Sequence, residues 1–245
     1  MSKDKYRKNE IEALLKIIKK QFSALQDTYS NALEVKEVPF ELKIKIKNYL
    51  ENARSILDYL MCDIFGALQI IPKRKIYFPI FKVHKGNFSV QLHSKYSELC
   101  PALQKGNQKL FDYLERLQPY HFDMKWIADF VEINIENKHS RLTPQIRYEN
   151  PSLEISNNGP GICLMDGASV SLGEGCSISL GGGYIPGGQT ISTNSSFTAD
   201  SSLQVKREIW FGFLFNNEID VLNLLTCIQE KLPVIVSQIY KLLGL

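Results

Sequence analysis

The feature that most constrains the fold is an apolar stripe that begins shortly after Pro39. Its residues recur in alternating steps of four and three, which places them on one face of an α-helix that ends at about Phe65. The stripe consists of Ile46, Leu50, Ala53, Leu57, Leu60 and Ile64. Because such a seam is buried best against other helices, it predicts a helical bundle.

Four further segments show helical periodicity. They cover approximately residues 11–30, 107–117, 123–139 and 217–242. We expect the Asn216–Asn217 pair to cap the last helix, and Pro233 to kink or split it because proline removes a backbone donor and crowds the preceding turn. Residues 69–104 lose the periodicity, and residues 76–80 within them are predicted to be extended and half-buried.

A glycine- and serine-rich block separates the last two predicted helices. Ten of the fifteen glycines lie between Gly159 and Gly188. Apolar and polar residues alternate in 170–172 and 178–180, on either side of Gly173-Glu174-Gly175, which is typical of a β-hairpin. Residues 206–215 give the strongest strand pattern. The block therefore predicts β-structure inserted between helices.

The predicted fold class is mainly α (α+β), a helical bundle with an inserted Gly/Ser-rich antiparallel β-meander. Residues 1–141 would form the first part of the bundle and residues 142–215 the β-rich insertion. Residues 216–245 would supply the C-terminal helix that completes the bundle. At 245 residues the chain can bury a core without disulfides or metals.

The composition indicates the cellular environment of the protein more clearly than it indicates an activity. A net charge of +3 permits contact with nucleic acid but does not argue for it. The five cysteines are odd in number and lack a CxxC pair, so we interpret them as buried thiols of a reducing compartment. No secretory start and no run of about 18 uncharged apolar residues is evident. We expect a cytoplasmic protein without membrane contact, metal or cofactor.

The most suggestive polar cluster lies where the helix predicted over 123–139 ends. Asn134, Lys138 and Arg141 are spaced to share one helical face, and His139 lies beside them. One interpretation is structural, because cations at a helix C-terminus complement the helix dipole. The other is catalytic, because a histidine flanked by fixed positive charge suits acid–base work on a phosphodiester.

A second cluster contains Arg54 and Asp58, four residues apart beside the apolar seam. They form either an ordinary intrahelical ion pair or part of a cleft between facing helices, where bundle enzymes build their sites. The run Lys73-Arg74-Lys75 is either a solvated loop or an addition to an RNA-facing surface. The remaining histidines lack metal-ligand spacing and are interpreted as solvated or capping residues. They are His84, His93 and His121.

Four motifs resemble a group of uncharacterised bacterial proteins that look HEPN-like, a four-helix-bundle superfamily. They are ARSILDYL at 53–60, FPI at 78–80, LQPY at 117–120 and NIENKHSRL at 134–142. The resemblance covers roughly residues 40–142 and implies a metal-independent ribonuclease of a bacterial defence or toxin system. It also implies a homodimer, because the superfamily commonly builds its cleft across two subunits.

The resemblance departs from the superfamily at its catalytic signature, an arginine followed after four to six residues by a histidine. Counted back from His139, the permitted positions hold Glu132, Ile133 and Asn134, and Arg141 follows the histidine instead. The resemblance therefore supports the fold better than it supports ribonuclease activity.

Two functions follow from these patterns. In the first, the chain acts on RNA or a nucleotide. There His139 is the general acid/base, Arg54 and Asp58 complete the catalytic pocket, and three residues bind substrate. Those three are Asn134, Lys138 and Arg141. In the alternative, the chain is a non-catalytic module that binds a partner protein or a ligand through the β-insertion.

Overall fold

The computed structural model describes residues 6–35, 38–81, 88–139, 142–157, 159, 161–215 and 218–245, without the side chains of 33–35, 139 and 210–211. The helices of this part are α1 (Lys8–Val35), α2 (Phe40–Ala67), α3 (Phe88–Lys95), α4 (Leu99–Gly106), α5 (Gln108–Arg116), the 3-10 turn η1 (Phe122–Met124), α6 (Lys125–His139) and α7 (Val221–Leu243). The strands are β1 (Gln145–Ser156), β2 (Ile162–Leu164), β3 (Ser169–Leu172), β4 (Ser177–Leu180), β5 (Gly183–Pro186), β6 (Gln189–Ser192) and β7 (Gln204–Phe215).

The predicted apolar seam forms the centre of a helical bundle. Helix α2 packs against α1, α6 and α7, and α7 also contacts α1 and α6. Every residue of the seam, from Ile46 to Ile64 in steps of four and three, is fully buried. Burial of this stripe removes its apolar surface from water and is the main stabilising contribution to the bundle. The prediction of a mainly helical fold with antiparallel β-structure is confirmed.

A buried carboxylate joins three helices of the bundle. Asp63 on α2 is only 2% exposed and accepts a hydrogen bond of 2.7 Å from the Tyr240 hydroxyl on α7. It also accepts two bonds from the backbone N–H of Arg7, which directly precedes α1. A buried carboxylate is tolerated when its oxygens are satisfied in this way, and here it fixes the relative position of α1, α2 and α7.

The last helix begins later than predicted and is not split. Asp220 caps it by accepting from Asn223 N–H at 2.7 Å, and Phe215 N–H bonds to Ile219 before the helix starts. The predicted cap, Asn216–Asn217, lies outside the described residues. Helix α7 continues through Pro233, with buried Leu232 and Ile235 on either side of it. Burial of the apolar face thus outweighs the local cost of the proline.

Two short helices occur where the sequence predicted none. Helices α3 and α4 are eight residues each and bury only two and three residues respectively. Segments of two turns offer too few positions for a 3.6-residue period to be recognised.

The chain divides into two compact units. The helical unit comprises Met1–Ile146 and Leu214–Leu245, and the β unit comprises Arg147–Phe213. The β unit has an apolar core of its own. Its buried members are Leu153, Ile155, Leu164, Ile185, Ile191 and Leu203.

Strand pairing in the β unit differs from the predicted hairpin. Strand β1 lies between β2 and β7, whereas β3 pairs with β6 and β4 pairs with β5. Residues 173–175 therefore separate two strands that do not pair with each other. The hairpin turn is instead Gly181–Gly182, whose φ angles of 54° and 96° fit the two-residue type I′ turn. Alternation of side chains identifies strands, but the turn decides which of them pair.

The interpretation of the cysteines as buried thiols is wrong for most of them. All five are free, yet only Cys100 is buried, and Cys163 and Cys176 on the β unit are exposed. Cys163 lies on the short strand β2, whose alternate side chains face solvent, and Cys176 lies in the connection between β3 and β4. Within the described residues, no helix combines the length and apolar character needed to cross a membrane.

Candidate functional site

A cavity of about 400 Å³ lies in the helical unit between α2 and α6. We call it the α2–α6 cleft. Helix α2 contributes Arg54 and Asp58, and Lys95 at the end of α3 also lines it. The residues from α6 are Val131, Asn134, Ile135 and Lys138. Those from the irregular segment between α2 and α3 are Tyr77, Phe78 and Ile80.

The two α2 residues form a paired unit at the cleft wall. Arg54 Nη2 lies 3.0 Å from Asp58 Oδ1, and Arg54 Nε donates to Asp58 Oδ2 at 3.3 Å. Their spacing of four residues places both side chains on one helical face. The pair is largely covered, with side-chain exposures of 16% and 19%. Burial of this kind makes the pair sensitive to the loss of either member.

The same pair anchors the opposite wall. Asp58 Oδ1 accepts from Phe78 N–H at 2.8 Å, and Arg54 Nη2 donates to the Phe78 carbonyl at 3.3 Å. The Tyr96 hydroxyl bonds to both backbone groups of Tyr77, at 2.8 Å each. An irregular segment leaves its backbone groups without ladder partners, so these side chains supply them. The segment is held in place although it belongs to no sheet.

Buried Gln118 completes this anchoring from α5's C-terminal side. Its Oε1 accepts from Phe81 N–H at 2.9 Å, and its Nε2 donates to the Pro79 carbonyl at 3.1 Å. Residues 77–81 are thus fixed at successive positions, and the predicted half-buried segment is confirmed with Phe78 and Pro79 buried. The wall is pre-formed, as is usual for ligand sites.

Helix α6 presents one face to the cleft. Val131, Asn134, Ile135 and Lys138 follow the i, i+3, i+4, i+7 spacing of a single helical stripe. Asn134 is only 6% exposed, whereas Lys138 is exposed at the rim. Asn137, also buried, instead accepts from Thr143 N–H at 2.8 Å and holds the chain that leaves α6. The polar positions of α6 thus divide between the cleft and the helix end.

Two polar atoms at the cleft lack a hydrogen-bond partner within the described part of the chain. They are Arg54 Nη1, a donor, and Asn134 Oδ1, an acceptor. Most buried polar side-chain atoms in proteins are satisfied, and each exception calls for an explanation. Both atoms are buried from solvent, so an acceptor in the cavity would reach Arg54 Nη1 only after a small shift of that side chain.

Lys95 is the cleft residue that the sequence did not indicate. Its Nζ lies 5.9 Å from the centre of the Phe81 ring and 5.7 Å from that of Tyr96, within the range of cation–π attraction. Burial, reinforced by the positive charge of Arg54, lowers the pKa of Lys95 below its ordinary value. The residue lies in a segment without clear periodicity, so no spacing pointed to it.

The electrostatic balance of the cleft is positive. Arg54, Lys95 and Lys138 face a single carboxylate, Asp58. Burial raises the pKa of Asp58, and the charge of Arg54 and the hydrogen bonds from Phe78 and Arg54 oppose that rise. A largely covered carboxyl that is already bonded to its neighbours positions them rather than taking up a cation. The cleft is therefore suited to an anionic ligand.

The structure brings together four of the six predicted site residues. Arg54, Asp58, Asn134 and Lys138 all line the α2–α6 cleft. The backbone of His139 ends α6, but its side chain lies outside the description, as does Arg141.

Neither of the other two described histidines lines this cleft. His121 is near Glu115, at 3.1 Å, His93 is exposed on α3, and His84 is outside the described residues. Among the side chains that the structure describes, no group of three or more His, Cys, Asp or Glu residues is placed to hold a metal ion.

The chain matches no known family, no curated protein and no solved structure.

Proposed function

We propose that the chain binds RNA or a nucleotide through phosphate in the α2–α6 cleft. The observation that carries the proposal is Arg54, whose Nε and Nη2 are held by Asp58 and Phe78 while Nη1 has no partner in the described structure. Nη1 is unpaired but buried from solvent, so a small shift of the Arg54 side chain into the cleft would give it a phosphate oxygen as its acceptor. Lys95 and Lys138 supply further positive charge around it.

Apolar and aromatic side chains support a nucleotide over a bare inorganic anion. Tyr77, Phe78, Ile80 and Ile135 line the same cavity as the cations. Bases stack on aromatic faces and pack against aliphatic ones, whereas a small inorganic anion gains nothing from such walls. Tyr77 is 45% exposed, so its ring is accessible to a ligand.

The proposal also includes catalysis, with His139 as the catalytic residue. The residue follows Lys138 directly on α6, and the HEPN-like resemblance gives it the role of general acid/base in metal-independent RNA cleavage. In that role it would move a proton at the ribose hydroxyl or the leaving oxygen, while the cations of the cleft stabilise charge on the phosphate. The homodimer and the bacterial defence or toxin context rest on the resemblance alone.

Binding is tested by removing one rim cation. We expect Lys138→Ala to weaken the binding of UMP or a short RNA by three- to tenfold, because one phosphate-facing charge is lost. Fluorescence anisotropy or calorimetry measures the affinity. Lys125→Ala is the matched control, since Lys125 is exposed at the other end of the same helix and does not line the cleft. Equal affinities for the two variants would exclude the cleft as the binding site.

Cleavage is tested at the histidine. We expect His139→Ala to slow RNA cleavage in the absence of metal by at least about 100-fold, the usual contribution of a general acid/base. His93→Ala, an exposed histidine outside the cleft, should cleave at the wild-type rate. A His139→Ala protein that cleaves as fast as wild type would remove the ribonuclease and leave only the binding function.

The alternative function, a non-catalytic module that acts through the β unit, has one observation in its favour. That unit has its own core, which includes Leu153, Ile185 and Ile191, so it is packed as a unit of its own. It exposes Tyr184 on β5, which is 52% accessible. Under this alternative, Tyr184→Ser would abolish binding of the partner, whereas Lys138→Ala would not.

A further inference from the structure

A second and more open pocket adjoins the α2–α6 cleft at Lys95. It measures about 490 Å³, and Lys95 lines both cavities. Its other lining residues are Arg74, Phe81, Val90, Gln91 and Ser94. We call it the Arg74 pocket. The shared lysine places the two cavities next to each other in the helical unit.

The Arg74 pocket repeats the chemistry of the cleft. Arg74 is exposed and adds a cation, and no ion-pair partner for it occurs in the described part of the chain. Its neighbour Lys73 is paired with Glu98, so that lysine adds no free charge. The ring of Phe81 lies beside Lys95 at the junction, 5.9 Å from its Nζ to the ring centre. Each pocket thus combines a cation with an aromatic side chain.

We propose that the two pockets together hold at least two successive nucleotides of one single strand, with Lys95 at the phosphate between them. This inference rests on the proposed function, because it extends the ligand of the same cleft. Alternating cations and aromatic rings are the elements with which proteins bind single strands, since cations follow the backbone and rings stack on bases. Each cavity has the volume of a site for one small ligand.

An acidic peptide is the competing polyanion, and the aromatic residues argue against it. Carboxylate side chains would use Arg74, Lys95 and Lys138 but would leave the exposed ring of Tyr77 without a stacking partner. Nucleotides use both kinds of group, so the observations favour nucleic acid.

The experiment measures how the affinity of the whole protein chain depends on ligand length. Affinities are measured by anisotropy or calorimetry for UMP and for a tetrauridylate with 2′-fluoro sugars, which cannot be cleaved through a 2′-hydroxyl. We expect the tetranucleotide to bind at least tenfold more tightly than UMP. Oligo(dT) of the same length tests whether the protein distinguishes RNA from DNA. Equal affinity indicates that any single strand binds, and weaker binding indicates a preference for RNA.

Arg74→Ala separates the two pockets. We expect this variant to bind the tetranucleotide three- to tenfold more weakly and to bind UMP within twofold of wild type. The slope of log affinity against log salt should decrease by about 0.7, the value for one phosphate contact on a single strand. Lys109→Ala, an exposed lysine on α5 away from both pockets, is the control. Arg74 is an exposed loop residue, and circular dichroism checks that the variant is folded.

Several results would overturn the inference. They are equal affinity for UMP and the tetranucleotide, an Arg74→Ala effect no larger than that of Lys109→Ala, and displacement of the tetranucleotide by oligoglutamate of equal length at similar concentration. In each case UMP binding that depends on Lys138 would leave the proposed function intact. Failure of both ligands to bind would instead reject the proposed function.

Discussion

Arg54 and Asp58 fit both interpretations that the sequence allows, an intrahelical ion pair and part of a cleft. They form the ordinary intrahelical ion pair, and they also line a cavity and fix the backbone of Phe78. Because Asp58 is engaged with both partners, its contribution is to position Arg54 and the wall. The unpaired Nη1 of Arg54 is buried from solvent, and a ligand would engage it after a small shift of the side chain.

Lys95 leads to a prediction about pH. Burial and Arg54 lower its pKa below 10.5, so the free protein loses this charge at a lower pH than an ordinary lysine would. A bound phosphate favours the charged amine and raises the pKa of Lys95 in the complex. Affinity for UMP should therefore be full below the pKa of the free protein, and it should fall as pH rises toward the pKa of the complex.

Titrations of UMP affinity between pH 7 and 10 measure this effect. Lys95→Arg keeps its charge throughout the range and should show only the smaller pH dependence that deprotonation of the uracil base causes, because arginine does not deprotonate there. A wild-type profile that parallels that of Lys95→Arg would exclude Lys95 as a ligand group.

At the scale of elements, the β unit shows why strand patterns do not settle strand pairing. Residues 170–172 and 178–180 carry equivalent alternation, yet they belong to two separate pairs with β6 and β5. The interruption between them lies opposite Gly187 and Gly188, where Gly188 N–H bonds to the Leu172 carbonyl at 2.9 Å. Close approach of the two backbones at this point requires glycine.

Gly187→Ala is predicted to destabilise this part of the β unit. A Cβ at Gly187 would lie 2.2 Å from the Gly173 carbonyl oxygen and 2.5 Å from that of Cys176, both backbone atoms that cannot rotate away. We expect a loss of about 1–3 kcal/mol, typical of overpacking. Gly173→Ala is the matched control, because its Cβ would meet nothing closer than 3.9 Å.

Amide hydrogen exchange of β3 and β6, combined with urea unfolding, measures the two variants. Equal protection in Gly187→Ala and Gly173→Ala would show that the backbones do not approach as closely as described.

For the whole molecule, the net charge of only +3 predicts that polyanion binding depends on where the cations are rather than on how many there are. Lys19→Ala with Lys20→Ala removes two exposed charges from α1, which does not line the cleft. Arg54→Ala with Lys138→Ala removes the same number from the cleft. We expect at least a tenfold loss of tetranucleotide affinity for the second double variant and less than twofold for the first.

Affinities for both double variants are measured at fixed ionic strength, because screening would otherwise obscure the difference. Equal losses would mean that general charge attraction, and not the cleft, accounts for binding. Retention of helical structure in the Arg54→Ala protein is checked by circular dichroism, since Asp58 loses its partner there.

Local periodicity along the chain is enough to predict several features of this protein. The α2 seam, the bundle and the spacing of Arg54 with Asp58 and of Asn134 with Lys138 follow from 3.6 residues per turn, because a helix fixes which side chains share a face. These patterns predicted the mainly helical fold with inserted β-structure, and they named four residues that line one cavity.

Which helical faces meet, and which other residues join them, depends on contacts between distant parts of the chain. Lys95 enters the cleft from a short helix, and residues 77–81 are held by side chains 19 to 39 positions away in sequence. Strand pairing in the β unit and the start of α7 at Val221 were likewise set by turns and contacts. Such long-range partners leave no periodic trace, because hydrogen bonding and packing between distant segments depend on chain topology rather than on spacing.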